Sequence, residues 1–157
     1  MPVGTLLPVK FRTPKGEDYD VTGETVTISA ANTWTTSSGS TFAAKGLEAD
    51  LAPATGKIEP NSGFAQKTKM RFKGTIPLDL ASGSITGANC RLYDAANGVV
   101  LAESVEGAQA LSTTPANFTF DSVAEVDTDA DIVIQVRNNQ NTTDIVVNTG
   151  TLAVWHP

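Results

Sequence analysis

At 157 residues, with 40% hydrophobic and 18% charged side chains and a formal net charge of −6, the chain is long enough to fold around one core of its own. The negative balance argues against nucleic acid as the main partner, because a phosphate backbone needs a broad basic footprint. The single cysteine, Cys90, excludes an internal disulfide, and no apolar run approaches the roughly 18 residues that cross a membrane as a helix.

Thr, Ser, Asn, Gly and Ala make up the rest of the composition. β-Branched residues fit a pleated surface and Gly serves turns, so this balance reads as β. No window of helical length keeps apolar residues at i, i+3, i+4 and i+7 free of Gly, Pro or Thr clusters. The opening MPVGTLLPVKFRTPKG has no basic segment ahead of its short apolar run. No signal peptide is therefore predicted, and the chain is expected to be made and left in a cytoplasm.

Residues 1–20 are expected to form an extended arm and residues 21–157 a single β-domain. Pro2, Pro8 and Pro14 exclude regular helix and central strand, while Leu6, Leu7, Val9 and Phe11 give the arm an apolar side suited to pinning. In Glu24–Ser29, Val26 and Ile28 alternate with Thr25 and Thr27. Asn32–Ser40 reads as a loop or strand end around the aromatic anchor Trp34. Leu47–Leu51 is a short strand candidate, and the prolines and glycines of residues 53–63 read as a loop.

Next comes KTKMRFKG, residues 67–74, with Lys67, Lys69, Arg71 and Lys73 at every second position. Met70, Phe72 and Ile76 are expected inward and the four cations outward, with Pro77 ending the strand. Asn89–Asp94 and Val99–Glu103 flank Asn97-Gly98, a hairpin signal because both residues tolerate positive φ. Phe118 leads a strand to Val126, Asp131–Arg137 alternates with Ile132, Ile134 and Val136 inward, and Ile145–Val147 and Thr151–Trp155 close the chain. About eight to ten strands separated by turns predict an all-β fold, an antiparallel β-sandwich. A jelly roll fits better than an immunoglobulin fold, because the Cys-Trp-Cys pattern is missing and the strands exceed seven.

Four groups of residues invite a functional reading. Asp127, Asp129 and Asp131 alternate as oxygen ligands for calcium do, but the EF-hand pattern fails with Ile132 at its sixth position and Asn138 at its twelfth. Turn aspartates that cap their own backbone are the preferred reading, so no metal is predicted. Glu103, Glu106, Asp121 and Glu125 supply carboxylates without any spacing that defines a glycosidase pair, so no enzyme is predicted. Trp34, Tyr19, Tyr93 and Trp155 are core or interface aromatics, or a platform for sugar. The four cations of the stripe repel one another on one strand face. A partner, or carboxylates on the next strand, would relieve that repulsion; the plain alternative is a wet face whose lysines deter aggregation.

The stretch SITGANCRLYDAANGVVLAES and the ending DADIVIQVRNNQNTTDIVVNTGTLAVWHP resemble the jelly-roll structural proteins of tailed bacteriophages: head decoration (cement) proteins and related fibre head domains. The likeness lies in Thr/Asn/Ala-rich strands with few charges, a strand finish, and a proline-broken N-terminal arm. It implies a non-enzymatic virion protein without a cofactor that binds the outer surface of a major capsid protein shell and stabilises it. The implied assembly is a homo-oligomer, trimer ahead of dimer, made in the host cytoplasm and located on the capsid surface, with neither nucleic acid nor membrane as partner. On that footing Leu6, Leu7, Val9 and Phe11 of the arm, with Lys67, Lys69, Arg71 and Lys73, are the expected contacts to capsid or sister subunit. The alternative is a carbohydrate-recognition module of a phage fibre or adhesin, using Trp34 or Tyr93.

Overall fold

A computed structural model of the chain describes residues 16–45, 51–60 and 66–155. Among these residues are fourteen strands and no helix. They are β1 (Gly16–Thr22), β2 (Thr25–Val26), β3 (Thr35–Thr36), β4 (Thr41–Ala44), β5 (Leu51–Ala54), β6 (Lys57–Pro60), β7 (Thr68–Leu80), β8 (Ile85–Asp94), β9 (Val99–Glu103), β10 (Gln109–Leu111), β11 (Ala116–Val126), β12 (Ile132–Asn138), β13 (Ile145–Val147) and β14 (Gly150–Trp155). Sheet A runs β2–β13–β7–β14–β1–β4, with β11 on the other flank of β7. Sheet B runs β10–β8–β12–β6–β5, with β3 also on β12 and β9 also on β8. The two antiparallel sheets share one apolar core and form a jelly-roll sandwich, as the alternation predicts.

The period-two pattern does this work residue by residue. Along β7, Met70, Phe72, Ile76, Leu78 and Leu80 are buried, and β11 adds Phe118, Phe120 and Val126. From sheet B come Ile85, Ala88, Cys90 and Leu92 of β8 and Ile132, Ile134 and Val136 of β12. Each fully buried Phe, Leu, Ile or Val contributes about 1.5–3 kcal/mol of apolar transfer. Tyr19 joins the sheets: it lies fully buried in β1 and donates its hydroxyl to the Leu51 carbonyl of β5 at 2.7 Å. The hairpin at Asn97-Gly98 forms, with Gly98 alone at positive φ (70°). Buried Asp94 holds that turn, accepting from the amides of Ala96 (3.1 Å) and Asn97 (3.2 Å) and, across the sheet, from the Asp131 amide (3.1 Å).

Several expectations need correction. Pro77 does not end its strand, since β7 continues to Leu80. N and C=O of a strand residue point to the same side, and the Pro77 carbonyl accepts from the Asn148 amide at 2.8 Å. Its missing donor therefore faces the gap where β13 hands over to β14, and no ladder bond is lost. Residues 53–60 are not loop: Pro53 and Pro60 lie in the β5–β6 hairpin at the border of sheet B, where proline is tolerated. Gly16–Asp20, expected within the arm, belongs to β1, which pairs with both β14 and β4. Leu6, Leu7, Val9 and Phe11 lie outside the described residues, as do residues 47–50 of the expected short strand.

At Gly74 the backbones of β7 and β14 approach closely. A Cβ there would lie 2.2 Å from the Thr151 carbonyl oxygen and 2.8 Å from the Leu152 Cα, both backbone atoms that cannot swing aside. Gly74→Ala is expected to destabilise the fold by about 1–3 kcal/mol, as overpacking does, seen as a lower urea midpoint at unchanged m-value. Cys90 is fully enclosed, and burial pushes its thiol well above the ordinary range. In native protein the thiol is expected to resist a maleimide or disulfide reagent and to react fully once urea unfolds the chain; rapid native labelling would contradict the burial.

Candidate functional site

The stripe lies on the outer face of sheet A. Strand β7 is laddered to β11 on one side and to β13 and β14 on the other, so its backbone is committed and only side chains reach outward. The register puts Glu125 opposite Lys69 and Asp121 opposite Lys73. Arg71 grips Asp121 with two parallel bonds, Nε to Oδ1 at 2.8 Å and Nη2 to Oδ2 at 2.9 Å. That guanidinium holds the Asp121 carboxyl below its usual range, and Asp121 in turn raises Arg71. Lys67 lies 3.8 Å from Glu125 and 3.4 Å from Asp127. The stripe is thus a charge lattice in which neighbouring carboxylates relieve much of the repulsion. Arg71 also lies 5.5 Å from the Trp155 ring centroid. Lys69 and Lys73 are exposed, and neither makes an ion pair within 4.0 Å among the described residues.

The outer face of sheet B is built differently. Pairing of β3, β12 and β8 gathers Trp34, Arg137 and Arg91, which are far apart in sequence. The Arg91 guanidinium carbon lies 4.0 Å from the Trp34 ring centroid and 4.5 Å from that of Tyr93. Arg137 lies 4.7 Å from the same Trp34 ring. Gln135 orients Arg91, accepting its Nε–H at 2.8 Å while donating to the Thr36 hydroxyl at 3.1 Å. Asn89 accepts from Arg137 at 3.2 Å and from Asn139 at 2.7 Å. Burial lowers Arg91 from its usual pKa; Tyr93 and Glu103 oppose that shift and the charge of Arg137 adds to it. This cluster was not visible in the sequence. Trp34 and Tyr93 were noted as aromatics, but Arg91 and Arg137 give no signal until the register joins them.

The acidic candidates are spread among separate partners. Asp131 pairs with Lys57 at 2.6 Å, Asp129 accepts from Asn97 at 3.0 Å, and Asp127 faces Lys67. Two carboxylates raise the Lys57 ammonium to about 12, Asp131 more than Glu59. No group of three His, Cys, Asp or Glu suited to a metal occurs among the described residues. Of the remaining carboxylates, Asp121 is bound to Arg71, and Glu106 accepts from the amide (3.0 Å) and hydroxyl of Thr119. Burial works to raise Glu106, but the Thr119 bonds outweigh it and its pKa falls below the usual range. An open cleft of about 300 Å³ lies against the β7–β11 ladder, lined by Lys73, Thr75, Val105, Thr119, Phe120 and Asp121. It holds a single carboxylate, already ion-paired, and no nucleophile–base pair.

No protein-family model matches the chain, and no curated protein sequence does. In fold it is similar to PRD1 vertex protein P5, with a TM-score of 0.55 and 14% identity over 90% of this chain and 97% of that one. It is also similar to murine APRIL crystallised at pH 8.0, with a TM-score of 0.55 and 8% identity over 90% of this chain and 99% of that one. For murine APRIL at pH 8.5 the TM-score is 0.52 at 7% identity, over 90% and 99% of the two chains. At these identities the likeness is one of fold, shared along nearly the whole length of each chain, and function must be argued from the surface.

Proposed function

We propose that the chain is a non-enzymatic structural protein of a virion, docked on the outer surface of a major capsid protein shell that it stabilises. The observation that carries this reading is the end-to-end likeness in fold to PRD1 vertex protein P5. The outer surfaces support it. They offer ion-pair lattices and stacked cations, the material of adhesion, and the single carboxylate of the cleft, Asp121, is paired rather than poised.

Attachment in this reading has two parts. The arm, with Leu6, Leu7, Val9 and Phe11, adds extended backbone to a sheet of the partner. The stripe, with Lys67, Lys69, Arg71 and Lys73, meets acidic side chains through the cations that β11 leaves least neutralised, Lys69 and Lys73. Weak contacts repeated around a closed homotrimer add through effective concentration.

Two variants test the docking. Lys69→Glu with Lys73→Glu spares the Arg71–Asp121 pair, so the fold should survive, and occupancy on native particles should fall and become less sensitive to salt. Removing residues 1–15 cuts just before β1 and should leave a folded protein that no longer attaches. Undiminished occupancy of both variants, counted by electron microscopy of particles, would remove the proposed docking mode. Sedimentation equilibrium of the free protein is expected to give three chains per assembly; a persistent monomer would refute the trimer.

A further inference from the structure

The outer face of sheet B carries an arrangement that sheet stability does not require. Arg91 and Arg137 converge on one indole, in a chain of net charge −6, and neither forms an ion pair among the described residues. Each guanidinium offers five N–H donors. The described acceptors are two neutral amide oxygens, of Gln135 and Asn89. The Nε of Arg137 is buried with no acceptor at all. Glu103 lies opposite Arg91 across the β8–β9 ladder, yet does not close to ion-pair distance. Two like charges held together and partly desolvated, with Glu103 beyond ion-pair distance as the counter-charge to Arg91, repel each other, and an external anion would relieve that repulsion.

We propose that the Arg91–Arg137 pair is a docking site for the side-chain carboxylates of an acidic segment on a protein partner. Planar guanidiniums fixed by Trp34, Tyr93 and Gln135 are preorganised for bidentate capture of carboxylate. Trp, Tyr and Arg are also the residue types enriched in protein–protein hot spots, and here they lie together. A sugar would stack on an aromatic ring, but the Trp34 ring already carries two guanidiniums and the Tyr93 ring one. This site lies on the sheet opposite the stripe and does not depend on the partner being a capsid.

The test uses the full chain carrying Trp155→Phe, which leaves Trp34 as its one tryptophan. Hexaglutamate is the probe, a Gly-Ser peptide of equal length the neutral control, and hexagalacturonate the saccharide carboxylate. Hexaglutamate should change Trp34 fluorescence saturably, more weakly as salt rises, with affinity falling about tenfold or more in Arg137→Gln and in Arg91→Gln. Lys45→Gln, on the other sheet, should bind as the parent does. If Arg91→Gln melts early because the stack is lost, Arg137→Gln decides. No saturable change, equal affinity in Arg137→Gln, or binding of hexagalacturonate but not hexaglutamate would each overturn the proposal.

Discussion

Two ladders meet on β7, and the placement of sheet A follows from them. Thirteen residues long, the strand pairs over Thr68–Leu78 with β11 and, on its other side, with β14 and then β13. A strand hydrogen-bonded on both sides cannot slip by one residue without turning Phe72, Ile76 and Leu78 out to water and Arg71 and Lys73 into the core. That penalty, several side chains at about 1.5–3 kcal/mol each before any charge is buried, fixes the register. The register in turn sets Asp121 opposite Lys73 and within diagonal reach of Arg71, and Glu125 opposite Lys69. The charge lattice on the outer face is therefore a consequence of the core packing beneath it.

The two outer faces solve the same problem by different means. Sheet A neutralises its cations with carboxylates on the adjoining strand; such exposed pairs are screened by salt and contribute little to stability. Sheet B pairs Lys57 with Asp131 and Glu59 but leaves Arg91 and Arg137 without an ion pair among the described residues and stacks them on rings, at about 0.5–2 kcal/mol per contact. Stacking satisfies the faces of a guanidinium, while the edges, where the donors lie, meet only the neutral amide oxygens of Gln135 and Asn89. The first arrangement is closed at Arg71 and Lys67 and leaves Lys69 and Lys73 free of ion pairs among the described residues; the second leaves both of its guanidiniums open to an anion.

Period-two alternation was legible wherever a strand buries one face only, as in β7, β11 and β14, and in β7 it placed Met70, Phe72 and Ile76 inward although it ended the strand too early. It misled at the prolines. Pro53 and Pro60 look like loop chemistry, and Pro77 looks like a terminator, until their neighbours are known: one pair lies at a sheet border and the other residue at a gap between two partners. Local sequence holds no record of that. β12 shows a second limit, because Val133 and Gln135 are buried on the face where alternation predicts exposure. The side chains of neighbouring strands cover that face, with Arg91 and Thr36 both bonded to Gln135. The stripe could be read from eight consecutive residues; the Trp34–Arg91–Arg137 cluster could not, since three separate strands must pair before it exists.

The flank of the sandwich decides how anything attaches to it. β11 is the outermost strand on its side of sheet A, and an unpaired edge there would accept any extended chain. The loop that follows β9 prevents this. The Val105 amide donates to the Thr119 carbonyl at 2.9 Å, Glu106 takes the Thr119 amide, and Gln109 donates to the Asn117 carbonyl at 2.6 Å. Beyond this cap, Asp121 and Glu125 place charge along the rest of the strand, and the Ser122 hydroxyl bonds to the Leu101 carbonyl of β9, joining the borders of the two sheets. With Asn117–Thr119 capped in this way, a partner strand adding to β11 must first displace the loop.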